Sequence, residues 1–491
     1  MSKSVIIIGA GFSGLSAAAF MAKAGWKVMV IEKNNTAGGR ARQLKEQGFT
    51  FDMGPSWYWM PDVFERFFKQ FGKNVSDYYA LKRLDPSYRV YWSDTYTNIP
   101  ANYQQFRGLF ESMEKGSGTR LDQYLKEASL KYEIGIQDLV YKPGQSITEF
   151  LDWKIIKNTL KLDVFTSIKT HVSKFFKNSR LRQLMEFPIL FLGALPQNTP
   201  ALYSLMNYAD IVGGTWYPEK GMFSIVEGMR KLAEELGVVF RYNESAEQII
   251  IEKGAAKKLL TDKGEYEGDA IISGADYQFT DSTLLPVAYR NYTEQYWNKK
   301  VLAPSCLLYY VGLNKKLDNV LHHSLFFDVE FDQHASQIYT DPQWPDEPLF
   351  YLSVSSKTDD TVAPEGCENL VVLIPVASGL ENDTEELRDS YFQKILKRLE
   401  KHTGQSIADS IIYKRSYSVS DFKTDYNSYK GNAYGLANIL SQTAIFKPSC
   451  QSKKVKNLFY TGQFTVPGPG VPPSLISGEV VSKQVIKAFK N

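Results

Sequence analysis

Cysteine is nearly absent from this chain: Cys306, Cys367 and Cys450 are the only three in 491 residues, and none forms a C-x-x-C pair. So sparse and odd a set excludes a disulfide framework. With no leader-like segment before the first apolar strand, it points to a reducing, cytoplasmic setting. Histidine is also scarce, with five residues, and the His and Cys positions make no metal-ligand spacing, so no metal is expected. A net charge of +3 lacks the basic excess that a nucleic-acid partner requires. No apolar run reaches the roughly 18 residues of a membrane span. The best candidates, 187–195 and 371–377, are short and broken by Pro or Gly, so any contact with a bilayer is peripheral. Aromatic residues, by contrast, are plentiful: 30 Tyr, 29 Phe and 8 Trp make up 14% of the chain, enough to wall a long apolar ligand as well as fill a core. A chain of 491 residues exceeds one ordinary core, so two lobes are expected.

The first forty residues carry the strongest signal. Val5-Ile6-Ile7-Ile8 reads as a buried strand, Gly9-Ala10-Gly11-Phe12-Ser13-Gly14 as a glycine turn entering a helix, and Val28-Met29-Val30-Ile31-Glu32 as a second strand ending in a carboxylate. This is a dinucleotide-binding βαβ unit. Gly9 permits the turn, Gly11 lets the backbone approach a pyrophosphate at the helix N-terminus, and Gly14 lets helix and strand pack closely. Glu32 follows Gly9 by 23 residues, close to the spacing of an acid that grips ribose hydroxyls. Next come Lys33, then Gly38-Gly39-Arg40, whose glycines let the backbone pass over a cofactor while Arg40 supplies a planar cation for its phosphates. A surface cation after a turn is the plainer reading of Arg40. Gly54-Pro55-Ser56 adds another small-residue turn.

Acid, spacer and Gly-Gly-Arg after the nucleotide motif make the chain similar to the flavin amine oxidase and carotenoid desaturase superfamily. That resemblance implies FAD rather than NAD. It also implies that the loop from Gly462 to Ser474, containing Gly470, Val471 and Pro472 ahead of a helix from about residue 475, faces the isoalloxazine. The same resemblance places the backbone near Glu247 and Gln248 against the adenine. More specific pieces, Leu181-Arg182-Gln183, the stretch 187–196, Trp216-Tyr217-Pro218, residues 431–436 and 465–479, resemble bacterial-type carotenoid desaturases, the last of them those of marine flavobacteria.

The implied fold is α/β (mixed α+β). A Rossmann-type FAD-binding domain of 1–80, 218–277 and 440–491 is interleaved with a substrate-binding, membrane-facing domain of 81–217 and 278–439, built of sheet with helical cover. Trp153, Ile156, Leu160, Val164, Ile168, Val172 and Phe175 recur at helical spacing among lysines, which suggests one basic amphipathic helix over 153–177. Such a helix either lies on an anionic inner-membrane surface or packs on the core with a solvated face.

The chain has no second nucleotide fingerprint, so reducing power is expected to come from the substrate and leave to oxygen or a quinone. The resemblance implies desaturation of a long polyene by hydride loss to flavin. The lean is towards 3,4-desaturation of a hydroxylated monocyclic (γ-carotene-type) carotenoid, with phytoene desaturation as the alternative. Two more distant readings stay open: a flavin amine oxidase, and a non-enzymatic isoprenoid-binding protein of Rab-escort-like fold. The proton acceptor is not evident. Arg182 and Glu186, four apart on an expected helix, are candidates, although such a pair is also a common surface salt bridge. His322 and His323 titrate in the right range but sit in a polar stretch that reads as exposed. Trp57, Tyr58, Trp59 and Met60 are candidates for lining the substrate space.

Overall fold

The computed structural model describes residues 2–137, 139–146, 149 and 162–490. Its organising layer is a five-stranded parallel sheet. Strand β1 (Ser4–Ile8) lies at the centre, flanked by β2 (Lys27–Ile31) and then Val239–Arg241 on one side, and by Ala270–Ser273 and then Leu458–Tyr460 on the other. Val5, Ile6, Ile7 and Ile8 are all buried, as expected of a parallel strand covered on both faces. Helix α1 (Phe12–Lys23) follows the turn at Gly9, whose φ of +92° suits glycine. A Cβ on Gly14 would stand 2.0 Å from the Gly9 carbonyl oxygen, so only glycine permits this approach of helix to strand.

The two ends of the chain pack together. The C-terminal helix Val471–Ala488 lies against α1, and Ser16 Oγ donates to the Leu475 carbonyl at 2.7 Å. Gly478 makes the contact possible, since a Cβ there would come within 2.5 Å of Ser13 O. The helix starts at Val471, about four residues before the expected position, because the fixed φ of Pro472 and Pro473 suits its first turn.

A second, seven-stranded sheet runs Ile411–Tyr417, Ser305–Leu313, Glu368–Val376, Phe350–Ser353, His323–Phe326, Tyr88–Tyr91, Tyr96–Ile99. Helix Glu385–Thr403 packs Ile395, Leu396 and Leu399 on one face with Tyr309, Phe326 and Val372. Asp328 ties this helix down: it accepts from His402 Nε2 at 2.8 Å and from the Arg398 guanidinium. Burial alone would raise the Asp328 carboxyl, but hydrogen bonds from His402 and Arg398 and their charge hold it at about 2, against 3.8 unfolded. A lowered folded value means stability that is present above about pH 4 and lost as pH falls towards 2. Asp328→Asn is therefore expected to cost about 2 kcal/mol at pH 7 in urea unfolding, with the difference shrinking below pH 4.

The single amphipathic helix expected over 153–177 is corrected. Trp153, Ile156 and Leu160 lie outside the described residues. From Leu162 the chain turns, and a separate helix spans Ile168–Phe175, started by Ser167, whose side chain accepts from Thr170 N. Ile168, Val172 and Phe175 are buried, so this face of the helix meets protein rather than lipid. The turn also brings Glu127, Asp163 and His171 together. There the buried Lys131 ammonium, 2.9 Å from Asp163, supplies the positive charge.

Candidate functional site

A cavity of about 360 Å³ opens at the C-terminal ends of β1 and β2, where ligands bind in sheets of this kind. Its walls include Gly9, Gly11, Phe12, Ser13, Glu32, Lys33, Gly38, Gly39, Arg40, Gly54, Pro55, Ser56, Gly462, Gly470, Val471 and Pro472, residues drawn from both ends of the chain. Gly14 is not on the wall, because it is spent on the contact with Gly9. Glu247 and Gln248 are corrected: both are exposed and line a separate hollow with Leu260 and Arg290. The wall at this point is Glu244, Ser245 and Ala246 instead. Glu244 and Ser245 precede strand Ala246–Glu252 and Ala246 opens it, so the wall is formed by the entry to the strand, and the strand has a register shift between Ala246 and Gln248.

The donors and acceptors suit a dinucleotide. Glu32 is buried, with one carboxylate oxygen accepting from Ala10 N at 2.8 Å and the other from Asn34 N at 2.9 Å and Asn34 Nδ2 at 2.8 Å. The oxygen bonded to Ala10 N keeps acceptor capacity for a hydroxyl, whereas the one held by Asn34 has both lone pairs engaged. At Gly11 a Cβ would meet nothing within 4 Å, so the backbone here faces open space, and no side chain caps the first turn of α1. Its N–H groups and dipole are thereby left for an anion. Arg40 donates through Nη2 to Ser428 Oγ at 3.1 Å and Asn432 O at 3.2 Å, while its Nε is buried without a partner. Burial lowers the Arg40 pKa, opposed by the nearby Asp276 carboxylate.

Beyond the glycine turns the cavity becomes aromatic and apolar, with Trp57, Trp59, Met60, Met206, Leu308 and Leu373 on its walls. Tyr58 points away and pairs its hydroxyl with Tyr79 at 3.1 Å. His322 and His323 are buried, not exposed, because His323 opens an inner strand of the seven-stranded sheet and His322 immediately precedes it. His322 Nδ1 pairs with Thr358 Oγ1 at 2.7 Å, and burial lowers its pKa to about 3. His323 stacks on Trp57, with centroids 4.2 Å apart and planes 13° from parallel. Its Nδ1 lies 2.7 Å from the hydroxyl of Tyr351, itself on the cavity wall. Burial, reinforced by His322, holds the His323 pKa well below the ordinary value. Arg182 and Glu186 lie on helix Ser179–Glu186 and are not on the wall of this cavity. Glu186 is buried rather than surface-paired, and burial raises it to about 7.

Sequence reasoning missed Cys306, Tyr351 and Tyr434 on the apolar wall. Each comes from a different segment, and each looks like ordinary core in its own stretch of sequence.

Comparison with known proteins agrees with this geometry. The chain is 40% identical over 485 residues to the carotenoid 3,4-desaturase of Haloarcula japonica, covering 98% of both chains. It is 30% identical to the zeta-carotene-forming phytoene desaturase of Myxococcus xanthus, covering 98% of this chain and 93% of that one. An oxidoreductase structure from Methanosarcina mazei shares the fold, with a TM-score of 0.65 at 15% identity over 98% of this chain and all of that one. The family model of flavin containing amine oxidoreductases matches residues 12–486. The chain belongs to this family, as a mixed α/β oxidoreductase whose cofactor is FAD.

Proposed function

We propose that the protein is a carotenoid desaturase that introduces a C=C bond into a long polyene, with 3,4-desaturation of a hydroxylated monocyclic carotenoid as its reaction. The observation that carries this reading is the change in character along one cavity. The wall carboxylates Glu32, Asp276 and Asp425 lie towards Lys33, Arg40 and Arg42, whereas the far end is aromatic and aliphatic. An amine substrate would call for an anion or polar anchor at that far end. A neutral hydrocarbon needs alignment and exclusion of water. The similarity to a carotenoid 3,4-desaturase supports the choice of bond.

Gly11, Arg40, Glu32 and the start of helix Val471–Ala488 would hold FAD, with residues 1–80, 218–277 and 440–491 acting as the cofactor lobe. Residues 81–217 and 278–439 would act as the substrate lobe. FAD, when bound, accepts the hydride lost from an allylic carbon. The polyene cation then loses a proton from the neighbouring carbon: that C–H pair becomes the new double bond, the proton passes to Tyr351 Oη, and Tyr351's own proton passes to His323 Nδ1. His323 is suited to this role because burial keeps it neutral. Electrons leave to oxygen or a quinone. Among the described residues no helix is long and apolar enough to cross a membrane. The reading includes peripheral contact with the cytoplasmic face of the inner membrane, from which a polyene would enter.

The test is product analysis of the purified, FAD-loaded protein given hydroxylated γ-carotene, lycopene and phytoene separately. A longer chromophore from the hydroxylated substrate is expected. Conversion of phytoene alone would select the phytoene desaturase reading, and conversion of none, with peroxide released from amines, would select the amine oxidase reading.

A further inference from the structure

A second cavity, of about 70 Å³, adjoins the first and has no role in the reaction as described. It shares Cys306, Tyr351, Leu373 and Tyr434 with the larger one, so the two adjoin across these four side chains. Its remaining walls are mostly apolar, with Phe187, Leu325, Phe327 and Phe331 among them. Polar groups in such walls are expected to be paired, and nearly all of them are. His334 Nδ1 accepts from Leu349 N at 3.0 Å while its Nε2 donates to the Pro375 carbonyl at 2.9 Å. Tyr351 pairs with His323, and the Tyr434 hydroxyl with the Cys306 thiol, which burial pushes up to about 12. Tyr339 is the exception. Its hydroxyl is shielded from solvent and has no hydrogen-bond partner. It lines the smaller cavity, within electrostatic reach of Cys306 and Tyr434, which both cavities share.

A phenol in this position has one donor and acceptor capacity to offer, and the apolar walls around it leave both unmet. A saturated hydrocarbon end group would bury it unpaired, whereas an end group carrying a hydroxyl would satisfy it. We propose that Tyr339 Oη is the hydrogen-bond partner of a hydroxyl on the polyene end group seated in this chamber, and that it sets the preference for hydroxylated over unhydroxylated substrate. The inference rests on the desaturase reading and deepens it. A hydroxyl at the end of the chain lies only a few bonds from the carbons of a 3,4-desaturation, so a chamber sharing walls with the reaction space is the right place to read it.

Tyr339→Phe removes one oxygen and no packing volume, which makes it a clean probe. Initial rates would be measured on FAD-loaded wild type and variant with a hydroxylated carotenoid and its unhydroxylated counterpart in the same detergent micelles. Binding of each would be followed by quenching of tryptophan fluorescence. Wild type is expected to favour the hydroxylated substrate. In Tyr339→Phe the ratio of the two kcat/KM values is expected to fall about tenfold, through KM, with a matching loss of binding. An unchanged ratio, or an equal fall on both substrates, overturns the assignment of Tyr339 while leaving the desaturase reading intact. A wild-type enzyme that holds FAD yet converts neither substrate overturns the desaturase reading, and this inference with it.

Discussion

Replacing Gly11 by leucine is expected to give a folded, colourless protein that neither retains nor takes up FAD. The backbone at Gly11 has φ −73° and ψ 178°, a conformation open to any residue, and a Cβ there would meet nothing within 4 Å. A side chain therefore fits the protein but fills the space where the pyrophosphate must approach the first turn of α1. Gly39 stands opposite, its own Cβ position 3.3 Å from the Gly11 Cα, so the added side chain has little freedom to turn aside. Gly14→Ala provides the contrast. Its Cβ would collide with the Gly9 carbonyl at 2.0 Å and drive α1 off the sheet, so this variant is expected to melt at a clearly lower temperature whether or not FAD is present. Circular dichroism and flavin absorbance on both purified variants separate the two effects. Stoichiometric flavin in Gly11→Leu would contradict the placement of the cofactor at this turn.

The contrast between these two glycines also shows why part of the fold was legible. The βαβ unit is local: strand, turn, helix and acid lie within about thirty residues, and each glycine has its own steric reason. Fold class rested on that unit together with strand-like runs at 306–312 and 370–376, which lie within two paired neighbours of the second sheet, Ser305–Leu313 and Glu368–Val376. The helix expected over 153–177 failed because its apolar period continued across a turn. A visible signal could have marked the break: Ser167, three residues before Thr170, is a helix-start residue and caps the helix that actually forms. The exposure expected of His322 and His323 failed for another reason. Their neighbours look polar, but strand His323–Phe326 is paired on both sides, to Phe350–Ser353 and to Tyr88–Tyr91, and the second pairing, across more than 200 residues, leaves no trace in a local window. The apolar end of the cavity was hidden in the same way, since Trp57, Cys306, Tyr351 and Tyr434 meet only through the second sheet and the loop after it.

Tyr351→Phe is expected to slow product formation by roughly 10²-fold or more, the range lost when a positioned proton acceptor is removed, while FAD content and KM stay close to those of wild type. The far end of the cavity is walled by Trp57, Trp59, Met60, Met206 and Leu373, which hold no base, and these walls exclude the water that could otherwise take the proton. Tyr351 brings a hydroxyl to this wall, and His323 stands 2.7 Å behind it. Stacking on Trp57 fixes the imidazole plane, so its Nδ1 is held towards the hydroxyl. A polyene cation is a strong acid, so a histidine whose pKa lies well below the ordinary value still accepts the proton readily, and at rest it remains neutral and ready to do so. The sign of the pH dependence follows. A lowered His323 pKa means that the base is already deprotonated across the neutral range, so wild-type kcat is expected to show no histidine-like fall between about pH 6 and 8. Phenylalanine keeps the packing against the chamber but cuts the route from carbon to imidazole, and the cation then partitions back rather than forward. Single-turnover product formation measured by chromatography, alongside kcat and KM across pH, provides the check. A Tyr351→Phe enzyme within about threefold of wild type would place the proton acceptor elsewhere on the cavity wall.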